Sequence, residues 1–155
     1  MRWMFLSLGL LIFTGLFSQE GILRLFGRME NKGSMIADVE IEVIKDNQII
    51  REGKTNQNGS YKLDLELGAV YNIAFQKEGY ITKQIGVIGV HPEKKLTNTY
   101  TFQLDLELFT VEEGEGDDTM LPPVAKLYIE NVDEGFIYDK QYVKWVADEF
   151  DKVEE

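Results

Sequence analysis

The chain has 155 residues, no cysteine, and 27 acidic against 16 basic side chains, for a net charge of −11. The lack of cysteine excludes disulfides, thiolate metal sites and lipid attachment at a cysteine. The charge opposes nucleic acid or an anionic lipid surface as a partner, because both repel an acidic chain.

In chain order, residues 1–19 come first. Arg2 supplies a positive start, and residues 4–17 are apolar apart from Ser7, Gly9, Thr14 and Gly15. The run has the length of a signal-peptide core and falls short of the roughly 20 residues that span a bilayer. Ser18 is a small residue at a plausible cleavage point, and Gln19-Glu20-Gly21 restores polarity. The expectation is an export signal, cut near Ser18 or kept as an anchor. The remainder of the chain is the size of one ordinary domain.

From residue 21 to 109 the pattern is that of strands. Residues 22–29 place Leu23 and Leu25 on one face. Asn31-Lys32-Gly33-Ser34 is a turn cluster. Val39, Ile41 and Val43 alternate with Glu40 and Glu42, as in a half-buried strand. Asp46-Asn47 turns the chain, and residues 49–55 run back. Asn56-Gln57-Asn58-Gly59 is the strongest turn signal, because Asn and Gly tolerate the positive φ of tight hairpins. Tyr61, Leu63 and Leu65 then alternate with Lys62, Asp64 and Glu66. Gly68 and Glu78-Gly79 bound a strand at 70–76. Residues 80–90 form a longer strand, His91-Pro92-Glu93-Lys94-Lys95 a polar loop, and residues 99–109 the last strand. About seven short strands, with no helical period between them, predict an all-β, seven-stranded antiparallel sandwich or barrel rather than a parallel α/β sheet.

The last third differs. Residues 105–155 hold 16 acidic and 4 basic residues, against 11 of each in 20–104. The stretch 110–122 reads as an acidic linker ending at Pro122-Pro123. Residues 124–129 read as a strand, 131–135 as a turn, and Phe136-Ile137-Tyr138 as its hairpin partner. Asp139 is a good N-cap for an amphipathic helix over 140–152.

A stretch of the middle resembles a known family. Ile36-Ala37-Asp38-Val39-Glu40-Ile41 is followed by Thr55-Asn56-Gln57-Asn58-Gly59-Ser60-Tyr61, then Leu67-Gly68, Tyr71 and Lys77-Glu78-Gly79-Tyr80. This resembles the carboxypeptidase regulatory-like domain, a prealbumin-like (transthyretin-like) β-sandwich, over about residues 23–108. The structural residues that the resemblance marks are Asn58, Gly59, Tyr61, Gly68, Tyr71, Gly79 and Tyr80. It implies an extracytoplasmic and usually non-enzymatic module, a spacer or contact surface. The export segment and the acidic linker also resemble exported proteins of Bacteroidota-type Gram-negative bacteria. Relatives among collagen adhesins can form Lys–Asn isopeptide links. Residues 22–29 contain Arg24 and Arg28 but no lysine, so that chemistry is not carried over.

The residues offer little for catalysis. A hydrolytic triad needs a nucleophile, a base and an orienting acid. Beyond residue 19 the serines are Ser34 and Ser60, both at turns, and the one histidine, His91, lies in the polar loop. Histidine-based zinc sites need two or three such ligands. Glu112, Glu113, Glu115, Asp117 and Asp118 could offer oxygens to Ca²⁺, but their spacing does not match an EF-hand loop. Aromatic residues gather late: Tyr128, Phe136, Tyr138, Tyr142, Trp145 and Phe150.

The expectations are therefore a signal peptide at 1–19, a sandwich at 20–109, a linker at 110–122, and a hairpin plus helix at 123–155. The expected role is an exported structural or protein-interaction module of the cell envelope, in the periplasm or at the surface. The alternative is a glycan binder using exposed aromatic rings. No enzyme, catalytic residue, cofactor or metal is expected. A protein of the envelope is the expected partner, with no nucleic acid and no membrane insertion after signal cleavage.

Overall fold

The structure is a computed structural model and describes residues 20–110 and 122–151. The segment read as an export signal, and the acidic linker apart from its two end residues, lie outside the described residues. In chain order the elements are β1 (Ile22–Asn31), β2 (Ser34–Met35), β3 (Glu40–Lys45), β4 (Gln48–Lys54), β5 (Ser60–Glu66), β6 (Val70–Gln76), β7 (Lys83–Ile88), β8 (Thr99–Gln103), β9 (Leu106–Glu107), β10 (Ala125–Ile129), β11 (Phe136–Tyr138) and α1 (Lys140–Asp151).

Period-2 alternation gives each long strand one apolar face, and two sheets bury those faces against each other. The smaller sheet is built on β1, which takes β5 on one side and β8 then β9 on the other, with β2 folded back on its end. The larger sheet runs β11-β10-β7-β6-β3-β4. Between them lie Leu23, Leu25, Met29, Leu63 and Leu65 from the smaller sheet and Ile41, Val43, Ile73, Phe75, Ile85, Val87 and Leu127 from the larger. The fold is the all-β sandwich that the alternation predicts.

Strand direction is where the expectation needs correction. The sandwich is mixed, not antiparallel throughout: β8 and β9 run parallel to β1, and β10 runs parallel to β7. Alternation specifies which side chains face in, but the same pattern serves a strand of either direction. The strand read at 80–90 is also shorter, because Ile81 N–H bonds the Phe109 carbonyl (2.8 Å) and Tyr80 bridges Thr110 before β7 begins.

The hairpin and helix belong to this architecture. Ala125, Leu127 and Ile129 of β10 point into the core, and Phe136 of β11 joins them. Asp139 caps α1 as its sequence position suggests. Its Oδ1 accepts from the N–H groups of Gln141 (3.1 Å) and Tyr142 (2.9 Å), which have no partner inside the helix. The helix packs on β10, and Val146 is buried.

Gly27 decides how β1 meets its neighbours. A Cβ there would sit 1.8 Å from the Leu104 carbonyl oxygen. That close approach lets Leu104 N–H bond the Phe26 carbonyl (2.8 Å), while the Asp105 carboxylate takes the Arg28 N–H (2.9 Å). The β1 register with β8 and β9 is the same on both sides of this interruption. On the outer face of the smaller sheet Arg24 lies opposite Asp64 and holds it with two hydrogen bonds, at 2.9 and 3.0 Å.

Gly27→Ala should lower unfolding stability by about 2 kcal/mol or more, because the intruding methyl meets backbone, as read by urea denaturation. Asp64 is held below its ordinary carboxylate value of 3.8, first by the Arg24 hydrogen bond, which outweighs the opposing effect of burial, and then by the charges of Arg24, Lys62 and Arg51. A depressed folded-state value stabilises the fold above the ordinary value and is lost as pH falls through the folded one. Asp64→Asn should therefore flatten the acid limb of stability below 3.8 while changing the neutral-pH value little, since the pair is exposed. Parallel urea series at neutral and acid pH would show this.

Candidate functional site

The seven residues marked by the family resemblance fall into three groups. Asn58 and Gly59 form the turn into β5. The Asn56 side chain organises it, its Oδ1 accepting from the N–H groups of Asn58 and Ser60, both at 2.9 Å. Gly59 has φ of 68° and its absent Cβ would lie 2.7 Å from the Met29 carbonyl oxygen, so both backbone angle and space call for glycine there. Gly68 and Gly79 turn the chain at φ of 93° and 82°. The tyrosines act as ties. Tyr61 lies opposite Gly27, stacks edge-on against Phe75 of the other sheet (5.2 Å between centroids), and donates its hydroxyl to the Leu104 carbonyl at 2.6 Å. Burial, above all, and then the Asp105 charge push the Tyr61 hydroxyl well above its ordinary value, so it stays a donor. Tyr71 donates to the Glu66 carbonyl at 2.6 Å. Tyr80 is half-buried against the core. These residues shape the sandwich and are spread over it. They do not converge on one site.

Two further ties come from the side chains of Thr55 and Asn56, whose positions the motif marks without indicating what the side chains do. Thr55 is a buried polar residue. Its hydroxyl accepts from Val39 N–H (3.0 Å) and donates to the Ile36 carbonyl (3.1 Å). Asn56 is the other, as above. Threonine at the end of an exposed strand carries no signal of burial in the sequence.

His91 lies in its loop with Nδ1 accepting from the N–H groups of Glu93 (3.2 Å) and Lys94 (3.1 Å). Its imidazole thus orders the turn. Among the described residues no cluster of His, Asp or Glu is placed to hold a metal ion. The linker acids considered for Ca²⁺ lie outside the described residues.

The best candidate surface is where the two sheets meet at β8 and β11. Phe102 and Tyr138 meet edge to face at 5.1 Å and 80°, and behind them Tyr100 and Phe136 meet at 5.8 Å and 77°. Such perpendicular aromatic pairs are favourable beyond the area they bury. They close the side of the sandwich and leave an open groove of about 850 Å³, lined by Phe102, Tyr128, Tyr138, Glu130, Lys140 and Gln141 among others. Tyr138 stays 37% exposed, and burial, then Asp105, raises its hydroxyl above the ordinary value. Beside the groove, Lys126 Nζ sits 3.9 Å over the Tyr142 ring, and Trp145 is 49% exposed. The late aromatic residues are thus divided. Phe136 is core, Tyr128 and Tyr142 are half-buried, and Tyr138 and Trp145 are open.

No protein-family model matches the chain, and no curated protein matches it. Solved structures similar in fold include 3-chlorocatechol 1,2-dioxygenase of Rhodococcus opacus, at 15% identity and a TM-score of 0.45, covering 61% of this chain and 61% of that one. A DUF3823 family protein of Parabacteroides merdae stands at 13% and 0.41, covering 59% and 48%. A proposed carbohydrate-binding protein of Bacteroides uniformis stands at 12% and 0.38, covering 57% and 41%. The chain spans less than two thirds of the length of each. At this identity the likeness is one of fold alone. The expectation of no enzyme is corrected by the first of these, and by a catechol 1,2-dioxygenase of Acinetobacter at 14%: enzymes stand among the neighbours of this sandwich, so the fold gives no ground for ruling one out. No helix among the described residues is long and apolar enough to cross a membrane.

Tyr61→Phe should cost about 1–2 kcal/mol, because it leaves the buried Leu104 carbonyl without its donor. Denaturation of the two proteins side by side measures it, with the Tyr71→Phe change as an independent comparison.

Proposed function

We propose that this chain is an exported interaction module of the cell envelope, built on a carboxypeptidase regulatory-like, prealbumin-like sandwich. In this reading residues 1–19 direct export to the periplasm or surface of a Gram-negative bacterium. Residues 20–109 are the family domain, 110–122 a linker, and 123–155 an extension that completes a binding face. Asn58, Gly59, Tyr61, Gly68, Tyr71, Gly79 and Tyr80 serve the scaffold and not the ligand.

One observation carries the proposal: the groove between β8 and β11, with half-open aromatic rings set among Glu130, Lys140 and Gln141. Aromatic anchors with a polar rim are the usual anatomy of a protein-binding surface. The ring geometry favours a protein over a glycan. A sugar stacks on rings that share a plane, whereas Phe102 and Tyr138 stand at 80° and Tyr142 and Trp145 at 41°.

Capture of a stable protein partner from the envelope of its own cell is the expected result. The paired change Phe102→Ala and Tyr138→Ala should reduce that capture at least about tenfold, as truncation of two anchors does, with the melting transition checked alongside. Enrichment of polysaccharide without protein would overturn the proposal.

A further inference from the structure

The outer face of the larger sheet is divided. On its β10 side α1 stands on the sheet, beginning where Asp139 N–H bonds the Lys126 carbonyl (2.9 Å) and Tyr142 lies under Lys126. On its other side, over β3 and β4, the face is bare. All seven residues of β4 are exposed, and a register shift at Val43/Ile44 leaves Ile50 as an extra residue beside Ile49. These two isoleucines are 52% and 54% exposed. Directly beside them Glu42 and Glu52 face each other across the strands, an arrangement that costs stability. Neither is ion-paired among the described residues, whereas the next pair, Glu40 and Lys54, is bridged at 2.9 Å.

The exposed side of α1 is the complement. Lys140, Val143, Lys144 and Ala147 recur at i, i+3, i+4 and i+7 and share one face. All four are exposed, and the buried Val146 lies off that face. In a chain of net charge −11, the first two turns of this face are basic and apolar, while the bare half-sheet is acidic and apolar.

We propose that two copies of this chain associate through these surfaces, the α1 face of each seated on the bare β3–β4 half of the other. A two-fold axis lying along the strands brings each helix over the half-sheet that its partner leaves uncovered. The contact is then made twice and closes. Lys140 and Lys144 meet Glu42 and Glu52, which relieves the opposed carboxylates, and Val143 meets Ile49 and Ile50. Edge-to-edge pairing of β4 is not the mode, because its bulge and its Arg51 and Lys54 are the usual guards of a free edge.

Charge reversal tests this on the full chain, exported and purified, by sedimentation equilibrium over a range of concentrations. The unaltered chain should form a dimer. Glu52→Lys and Lys144→Glu should each raise its dissociation constant by on the order of tenfold. The chain carrying both changes should recover, because the swapped charges pair again between copies. Glu52→Lys also places a cation opposite Glu42 within the sheet, so it should not lower the melting temperature. Weakened association with an intact melt then separates the interface from the fold, and Glu42→Lys serves as the second variant on the same surface. A monomer at every concentration would overturn the proposal. So would a dimer indifferent to both reversals, or a double variant no better than the single ones.

Discussion

The contact on which the sandwich turns is the Tyr61 hydroxyl on the Leu104 carbonyl, made across Gly27. Three segments meet there: β5 supplies the ring, β1 the gap, and the chain between β8 and β9 the carbonyl. A side chain at position 27 would push Leu104 away, and with it the parallel pairing of β8 and β9 to β1. The ring also reaches Phe75 of the other sheet. One residue therefore ties neighbouring strands and stacked sheets at once, and its hydroxyl satisfies a carbonyl that water cannot easily reach.

With the smaller sheet set in this way, the larger one carries the surfaces. Its β7 edge is taken by β10, so the C-terminal hairpin completes the core while its own edge opens the aromatic groove. The parallel order places α1 on one half of the outer face and leaves the other half bare. The groove and the β3–β4 face are thus distinct surfaces of the same sheet. In the readings proposed above, one would take the apolar anchor of a partner, and the other the α1 face of a second copy. Both depend on where β10 docks.

Much of this was legible in the sequence. The alternation of Val39, Ile41 and Val43, of Tyr61, Leu63 and Leu65, and of Leu23 and Leu25 names the core, since a strand has only two faces. Asn58-Gly59, Gly68 and Gly79 announce turns because few other residues accept positive φ. Asp139 announces the helix start. The features that stayed hidden depend on distant neighbours. Nothing local marks Thr55 as buried, or Gly27 as a crossing point, or the strand at 99–109 as parallel to β1. The division of the aromatic residues into core and open rings was equally invisible, because Phe136 and Tyr138 are two residues apart and sit in one short strand.

The sequence by itself determined the strands, their inward faces, their turns and the capped helix, because each arises from interactions within a few residues of chain. Only the tertiary structure decided strand direction, the docking of β10 on β7, and the meeting of Phe102 with Tyr138. Those depend on hydrogen bonds and ring contacts between segments tens of residues apart, for which an alternating pattern permits several answers. The register that sets Glu42 against Glu52, and leaves that half of the sheet bare, belongs to the same class.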